Sequence, residues 1–181
     1  MKISAIGASV AVVVASVASA DVTYTFTNQT WTAFNFTEAY AAGSLTGTLT
    51  GVSVNATLNA SANYTYADDL CVYMDAAPLS TGGLLQVGGF SNLSALQRYS
   101  WPNGGSSAPG TTVSGTVNLT TAIDMAANPT QSIWIGNGFG AAGTSGTWTG
   151  TITLIGVNVP APGAVALLGL AGAIGGRRRR A

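Results

Sequence analysis

The residues able to do chemistry are few. The chain has no histidine. That removes imidazole metal ligands and every Ser-His or Cys-His catalytic pair within one chain. Cys71 is the only cysteine, so neither an intrachain disulfide nor a cysteine zinc site can form. No cation lies near it in sequence to lower its pKa, and it reads as a small core residue. Six acids remain. Asp68 and Asp69 are adjacent, and on a strand they would point to opposite faces, so they form a pair only in a loop. With Asp75 they are calcium candidates through carboxylate oxygens, although the D-x-D-x-D-G loop is absent and solvated strand-end carboxylates are the alternative. A glycosidase needs two carboxyls about 5 to 9.5 Å apart, and no motif marks such a pair. Neither a catalytic residue nor a cofactor is expected.

Aromatic side chains offer a different chemistry, stacking on sugar rings. Of the four tryptophans, Trp148 shares a strand face with Ile152 and Leu154 and belongs to the core. Trp101 lies in a long irregular segment, about residues 91–110, and is the candidate for an exposed ligand contact. Seven N-x-S/T sequons occur, at Asn28, Asn35, Asn55, Asn59, Asn63, Asn92 and Asn118. They read either as glycosylation sites of an exported protein or as the product of Asn- and Thr-rich strands.

The elements that must position these groups are strands. Val22, Tyr24 and Phe26 alternate with Thr23, Thr25 and Thr27, the period of a half-buried strand. A second aromatic segment holds Phe34 and Phe36. Between Leu45 and Leu58 the apolar parity slips from odd to even around Gly47 and Gly51, which predicts a β-bulge near Gly51. From Leu70 to Met74 both faces are apolar, so this is a central strand buried on two sides. Further strands are expected at residues 84–90, 111–120, 133–135 and 147–154. About eight short strands with Gly, Asn and Ser turns, and no helical period between them, indicate an all-β fold: a single antiparallel, jelly-roll-like sandwich with threonine-covered outer faces. Threonine suits such a surface, since its branched carbon packs on the pleat and its hydroxyl stays wet.

The two ends differ from the middle. Lys2, an uncharged run and the A-x-A site Ala18-Ser19-Ala20 read as a secretory signal peptide over residues 1–20, cleaved before Asp21 by signal peptidase after export. The sandwich domain occupies 21–158. From Val159 to Ala181 the chain reads V-P-A-P, then an apolar run over 163–176, then Arg177, Arg178, Arg179 and Arg180. Pro160 and Pro162 end the sheet. As a helix the run is roughly 21 Å long, shorter than a full span of about 20 residues. The arginines would stay cytoplasmic. Only 7% of the chain is charged, against about 25% in ordinary domains. Between the ends Arg98 stands alone against six acids, a net charge of −5. That argues against a nucleic-acid partner.

The tail resembles the PEP-CTERM sorting signal of Gram-negative bacteria. The matching parts are Val159, Pro160 and Pro162, then Leu167-Leu168-Gly169-Leu170-Ala171-Gly172, then Arg177 to Arg180. Ala161 stands where that family usually has glutamate. The resemblance implies an inner-membrane anchor before processing, and recognition by an exosortase-like membrane transpeptidase. It also implies release to the cell surface or to an exopolysaccharide or biofilm matrix. Non-enzymatic surface cargo is the leading expectation, and a polysaccharide-binding module is the alternative. In the middle, the stretches 67–70, 132–138 and 146–150 resemble jelly-roll domains of the proprotein-convertase P-domain kind, from which no activity follows.

Overall fold

The structure is a computed structural model that describes residues 21–79 and 82–160. The signal-peptide segment with Ala18 and Ala20, and the tail from Ala161 and Pro162 through the apolar run to the arginines, lie outside the described residues. Among those described, no helix is long and apolar enough to cross a membrane.

The chain forms two sheets. In order along the chain come β1 (Val22–Thr32), β2 (Phe36–Tyr40), β3 (Thr46–Ala62), a 3-10 turn (Ala67–Asp69), β4 (Leu70–Asp75), β5 (Leu85–Val87), β6 (Gln97–Tyr99), β7 (Thr112–Asp124), β8 (Ser132–Asn137) and β9 (Ser145–Asn158). One sheet has the order β1-β9-β3-β7, the other β2-β8-β4-β5-β6. Between the sheets lie the apolar faces that the alternation marks out. Trp31, Leu49, Val54, Leu58, Val72, Ile135, Trp148 and Ile152 are all buried there. Trp31 and Trp148 meet with ring centroids 5.9 Å apart. The all-β, two-sheet architecture therefore follows from the strand periods.

Particular expectations fare differently. The β3 register slips between Leu49 and Gly51 against β7, and between Gly47 and Gly51 against β9. This is the break expected from the parity change. β4 is buried along its whole length. The antiparallel rule has one exception, because β5 and β6 run parallel. A parallel pair forces the chain to return to the end where β5 began before it can start β6. Residues 88–96 make that return.

The threonine surface covers one sheet only. On β1-β9-β3-β7 the registers align Thr23, Thr153, Ser53 and Thr116 in one outward row, and Thr25, Thr151, Asn55 and Ser114 in the next. Neighbouring hydroxyls bond across the strands, as Thr23 to Thr153 at 2.9 Å and Thr30 to Thr147 at 2.7 Å. The other sheet is covered instead by the 88–96 return. Leu93 and Ala95 pack with Cys71, Tyr73, Phe36 and Trp134 on its outer face. The Tyr73 hydroxyl donates to the Leu93 carbonyl at 2.9 Å. Burial, and then the charge of Asp75, push that phenol up to about 12.

Candidate functional site

Asp68 and Asp69 sit in the 3-10 turn between β3 and β4, the loop setting in which neighbouring carboxylates can act together. Two buried indoles hold this turn from below. Trp148 Nε1 donates to the Ala67 carbonyl at 3.2 Å, and Trp101 Nε1 to the Leu70 carbonyl at 2.6 Å. The two acids do different things. Asp69 is 5% exposed. Its Oδ2 accepts the Tyr66 backbone N–H at 2.7 Å and its Oδ1 the Phe90 N–H at 3.1 Å. One carboxylate thus ties together two segments far apart in sequence, each carrying an aromatic ring. Burial raises the Asp69 carboxyl to about 6, against the lowering by these two donors. Asp68 is half-buried. Burial raises its carboxyl above the ordinary carboxylate range.

The opposite wall is the start of the 88–96 return. Gly88 and Gly89 have φ of +76° and +80°, a region that disfavours every residue with a Cβ. A Cβ on Gly88 would also collide with Trp101 Nε1 and the Leu70 carbonyl. Buried Gln86 fixes the segment, donating to the Gly88 and Ser91 carbonyls at 3.0 and 2.8 Å and accepting the Leu93 N–H at 2.9 Å. From β6, Arg98 Nη2 donates to the Phe90 carbonyl at 2.9 Å. Phe90 is thereby held by its N–H and its carbonyl while its ring remains 75% exposed.

Four rings border the depression. Phe90 meets Phe139 edge to face, with centroids 5.4 Å apart. Tyr66 is 40% exposed and Tyr64 80%. Tyr64 occupies a tight turn, closed by the Thr65 N–H on the Ala62 carbonyl at 3.3 Å, in which Asn63 and Tyr64 both have positive φ, +50° and +61°. A turn of this kind favours Gly and Asn, and a bulky aromatic in that conformation is an outlier. Between the rings lie two adjoining cavities, of about 230 and 170 Å³. Both are lined by Tyr66, Asp69 and Phe90. The larger continues over Asp68, Arg98 and Trp101. The smaller lies between Tyr64 and Phe139.

The residues singled out in the sequence are placed as follows. Trp101 does not offer an exposed stacking face. It is 5% exposed with its N–H bonded, because its indole fills the space against Gly88, and only part of it borders the larger cavity. Asp75 is not brought to Asp68 and Asp69, for it lies at the far end of six-residue β4. No group of three or more His, Cys, Asp or Glu able to hold a metal ion occurs among the described residues. Cys71 is fully buried, and desolvation raises its thiol above the ordinary value. The residues that pattern reading passed over are Tyr64, Tyr66, Phe90 and Phe139. Their signal is local. Phe90 follows Gly88-Gly89 and Phe139 sits between Gly138 and Gly140, so these rings belong to turns, not to a buried strand face. Comparison with known protein families, curated proteins and solved structures finds no match to this chain.

Proposed function

We propose that this chain is an exported, non-enzymatic surface or extracellular-matrix protein whose sandwich domain binds polysaccharide in the aromatic-bordered cleft. The observation that carries the reading is the exposure of Tyr64, Tyr66 and Phe90 around cavities with a carboxylate at their base. Sugar rings present apolar C–H faces with hydroxyls at their edges. Aromatic rings accept the faces, and carboxylates, guanidinium groups and backbone amides accept the edges. The strain at Tyr64 points the same way, since unfavourable backbone conformations persist where another demand outweighs them. Binding is favoured over hydrolysis because glycoside hydrolysis uses a pair of carboxyls, and of the two at this cleft Asp69 has both oxygens engaged by backbone donors.

The sandwich is jelly-roll-like in this reading, supported by a chain that passes back and forth between sheets in the order β1-β9-β3-β7 and β2-β8-β4-β5-β6. Export rests on the A-x-A site before Asp21, and sorting on Val159 to Pro162 with Arg177 to Arg180. The partners are then the export machinery, signal peptidase, an exosortase-like transpeptidase, the inner membrane before processing, and exopolysaccharide afterwards.

Two experiments test the two halves. On a glycan array the protein should bind a restricted set of polysaccharides, and Tyr66→Ala or Phe90→Ala should weaken that binding by about tenfold, the loss of one good aromatic contact. Silence across the array would remove the binding reading. Intact mass of surface material should show a chain that begins at Asp21 and lacks Ala181. Retention of Ala181 throughout would leave a simple tether in place of a sorted product.

A further inference from the structure

We infer that the cleft selects a glycan carrying protonated amino groups, an amino-sugar polymer, over its N-acetylated and uronic-acid counterparts. This rests on the reading of the cleft as a polysaccharide site and names the chemistry that site recognises.

The argument begins with what the cleft leaves available. Its larger cavity is lined by two carboxylates, Asp68 and Asp69, and one cation, Arg98. Asp69 is committed to the Tyr66 and Phe90 N–H groups, so it acts as a fastener whose charge is felt but whose oxygens are taken. Arg98 spends Nη2 on the Phe90 carbonyl at 2.9 Å and on the Gly89 carbonyl at 3.5 Å. Asp68 is different. The hydrogen bonds around Asp68 use its backbone, and its side chain is among those lining the larger cavity. The main chain around it is already consumed. The Asp68 N–H donates to the Gly104 carbonyl at 3.3 Å, and the Asp68 carbonyl accepts the Gly89 N–H at 2.9 Å. A ligand that uses Asp68 must therefore bring a donor, and a donor of opposite charge adds Coulomb attraction to the hydrogen bond.

The surroundings agree. The rings of Tyr66 and Phe90 border the same space, and aromatic faces attract an ammonium. Over residues 21–160 one base, Arg98, stands against six acids, a net charge of −5. The field of such a domain draws polycations and repels uronates, an effect that weakens as salt rises. A hexosamine residue has both requirements in one ring: an apolar face for the aromatics, and an equatorial ammonium for Asp68.

The test compares three oligomers of equal length by titration calorimetry on the purified full-length protein: glucosamine, N-acetylglucosamine and a uronic acid. The glucosamine oligomer should bind about fivefold more tightly than the N-acetylated one, the upper range for a partly exposed charge pair. That ratio should shrink as salt is raised, and the uronate should not bind. Asp68→Asn, which keeps the size of the side chain and removes its charge, should abolish the preference by lowering glucosamine affinity to that of N-acetylglucosamine. A preference that persists in Asp68→Asn, or equal binding of the two hexosamine oligomers, overturns the inference and leaves the polysaccharide reading standing. If none of the three oligomers binds, and the array is silent too, both readings fall together.

Discussion

At the scale of single residues, Asp69 is where structure and solution conditions meet. Its carboxyl is raised from the ordinary 3.8 to about 6 by burial. A raised carboxyl makes its stabilising contribution in full below the unfolded pKa, and that contribution is lost as pH rises through the folded one. The protein should therefore lose stability from this group between about pH 4 and pH 6. Thermal melts across that range should show a slope in wild type that Asp69→Asn flattens. Asp69→Asn should also lower the melting temperature at pH 4, because it sets an amide N–H₂ against the N–H of Tyr66 or Phe90 and leaves a buried donor unmet, at about 1–3 kcal/mol.

Tyr64 makes a complementary case. Gly at this positive-φ position relieves about 1–2 kcal/mol of left-handed strain, part of which the entropy of glycine takes back. Tyr64→Gly should thus raise the melting temperature and weaken glycan binding together, a trade visible in one melt and one titration. A loss of stability would mean that the turn is not strained. Cys71, buried and with its thiol raised, should be silent to a thiol reagent in the native protein and react in full once the chain is unfolded.

At the scale of elements, the parallel pairing of β5 with β6 shapes the site. Had these strands formed an ordinary hairpin, a short turn would have joined them. The return over 88–96 instead covers one sheet and carries Phe90 to the cleft. Gly88→Ala tests this directly. The Cβ meets Trp101 Nε1 and the Leu70 carbonyl at a φ of +76°, so destabilisation of about 2 kcal/mol or more is expected from chemical denaturation, with loss of glycan binding.

This element also marks the limit of what the sequence made legible. The strands β1, β3, β7 and β9 are readable from period, because each presents an apolar face to one core, and β4 from an apolar run on both of its faces. The break at Gly51 is readable from the parity change it causes. The parallel pair is not, since two three-residue strands are too short to show a period. The role of Trp101 is misread for a related reason: a tryptophan in a loop looks free until the loop is seen to fold back onto Gly88. The cleft itself joins residues 64–69 to 88–101 and 139 through hydrogen bonds of the Asp69 side chain and of the backbone, and backbone bonds leave no compositional trace.

At the scale of the whole molecule, the two ends of the domain share one end of the sandwich. Val22 pairs with Leu154, and the Asp21 side chain accepts the Gly156 N–H at 3.1 Å. The cleft lies at the other end, because Ala62, just before Tyr64, pairs with Ser145 at the start of β9, while Thr46 pairs with Asn158 at its end. A fourteen-residue strand therefore separates the two, roughly 45 Å at 3.2–3.4 Å per residue. Coupling the protein to a surface through a cysteine introduced at Val159 should leave glycan affinity unchanged, whereas coupling through one at Ala142, beside the smaller cavity's Phe139, should abolish it. Surface plasmon resonance of the two orientations reads this directly.

That arrangement has a mechanical consequence. If one end of the molecule is fixed at Asn158 and a polymer pulls on the cleft, tension runs along β9. This strand is not at an edge. It lies between β1 and β3, bonded on both sides over most of its length. Tension along a strand loads its ladder bonds in shear, many at once, because they lie across the direction of pull. Tension across a strand would open them one after another. The fold therefore puts its longest doubly paired ladder in line with the force a tethered, polymer-holding protein would feel. Under stretching it should resist as a unit and then give way in a single event.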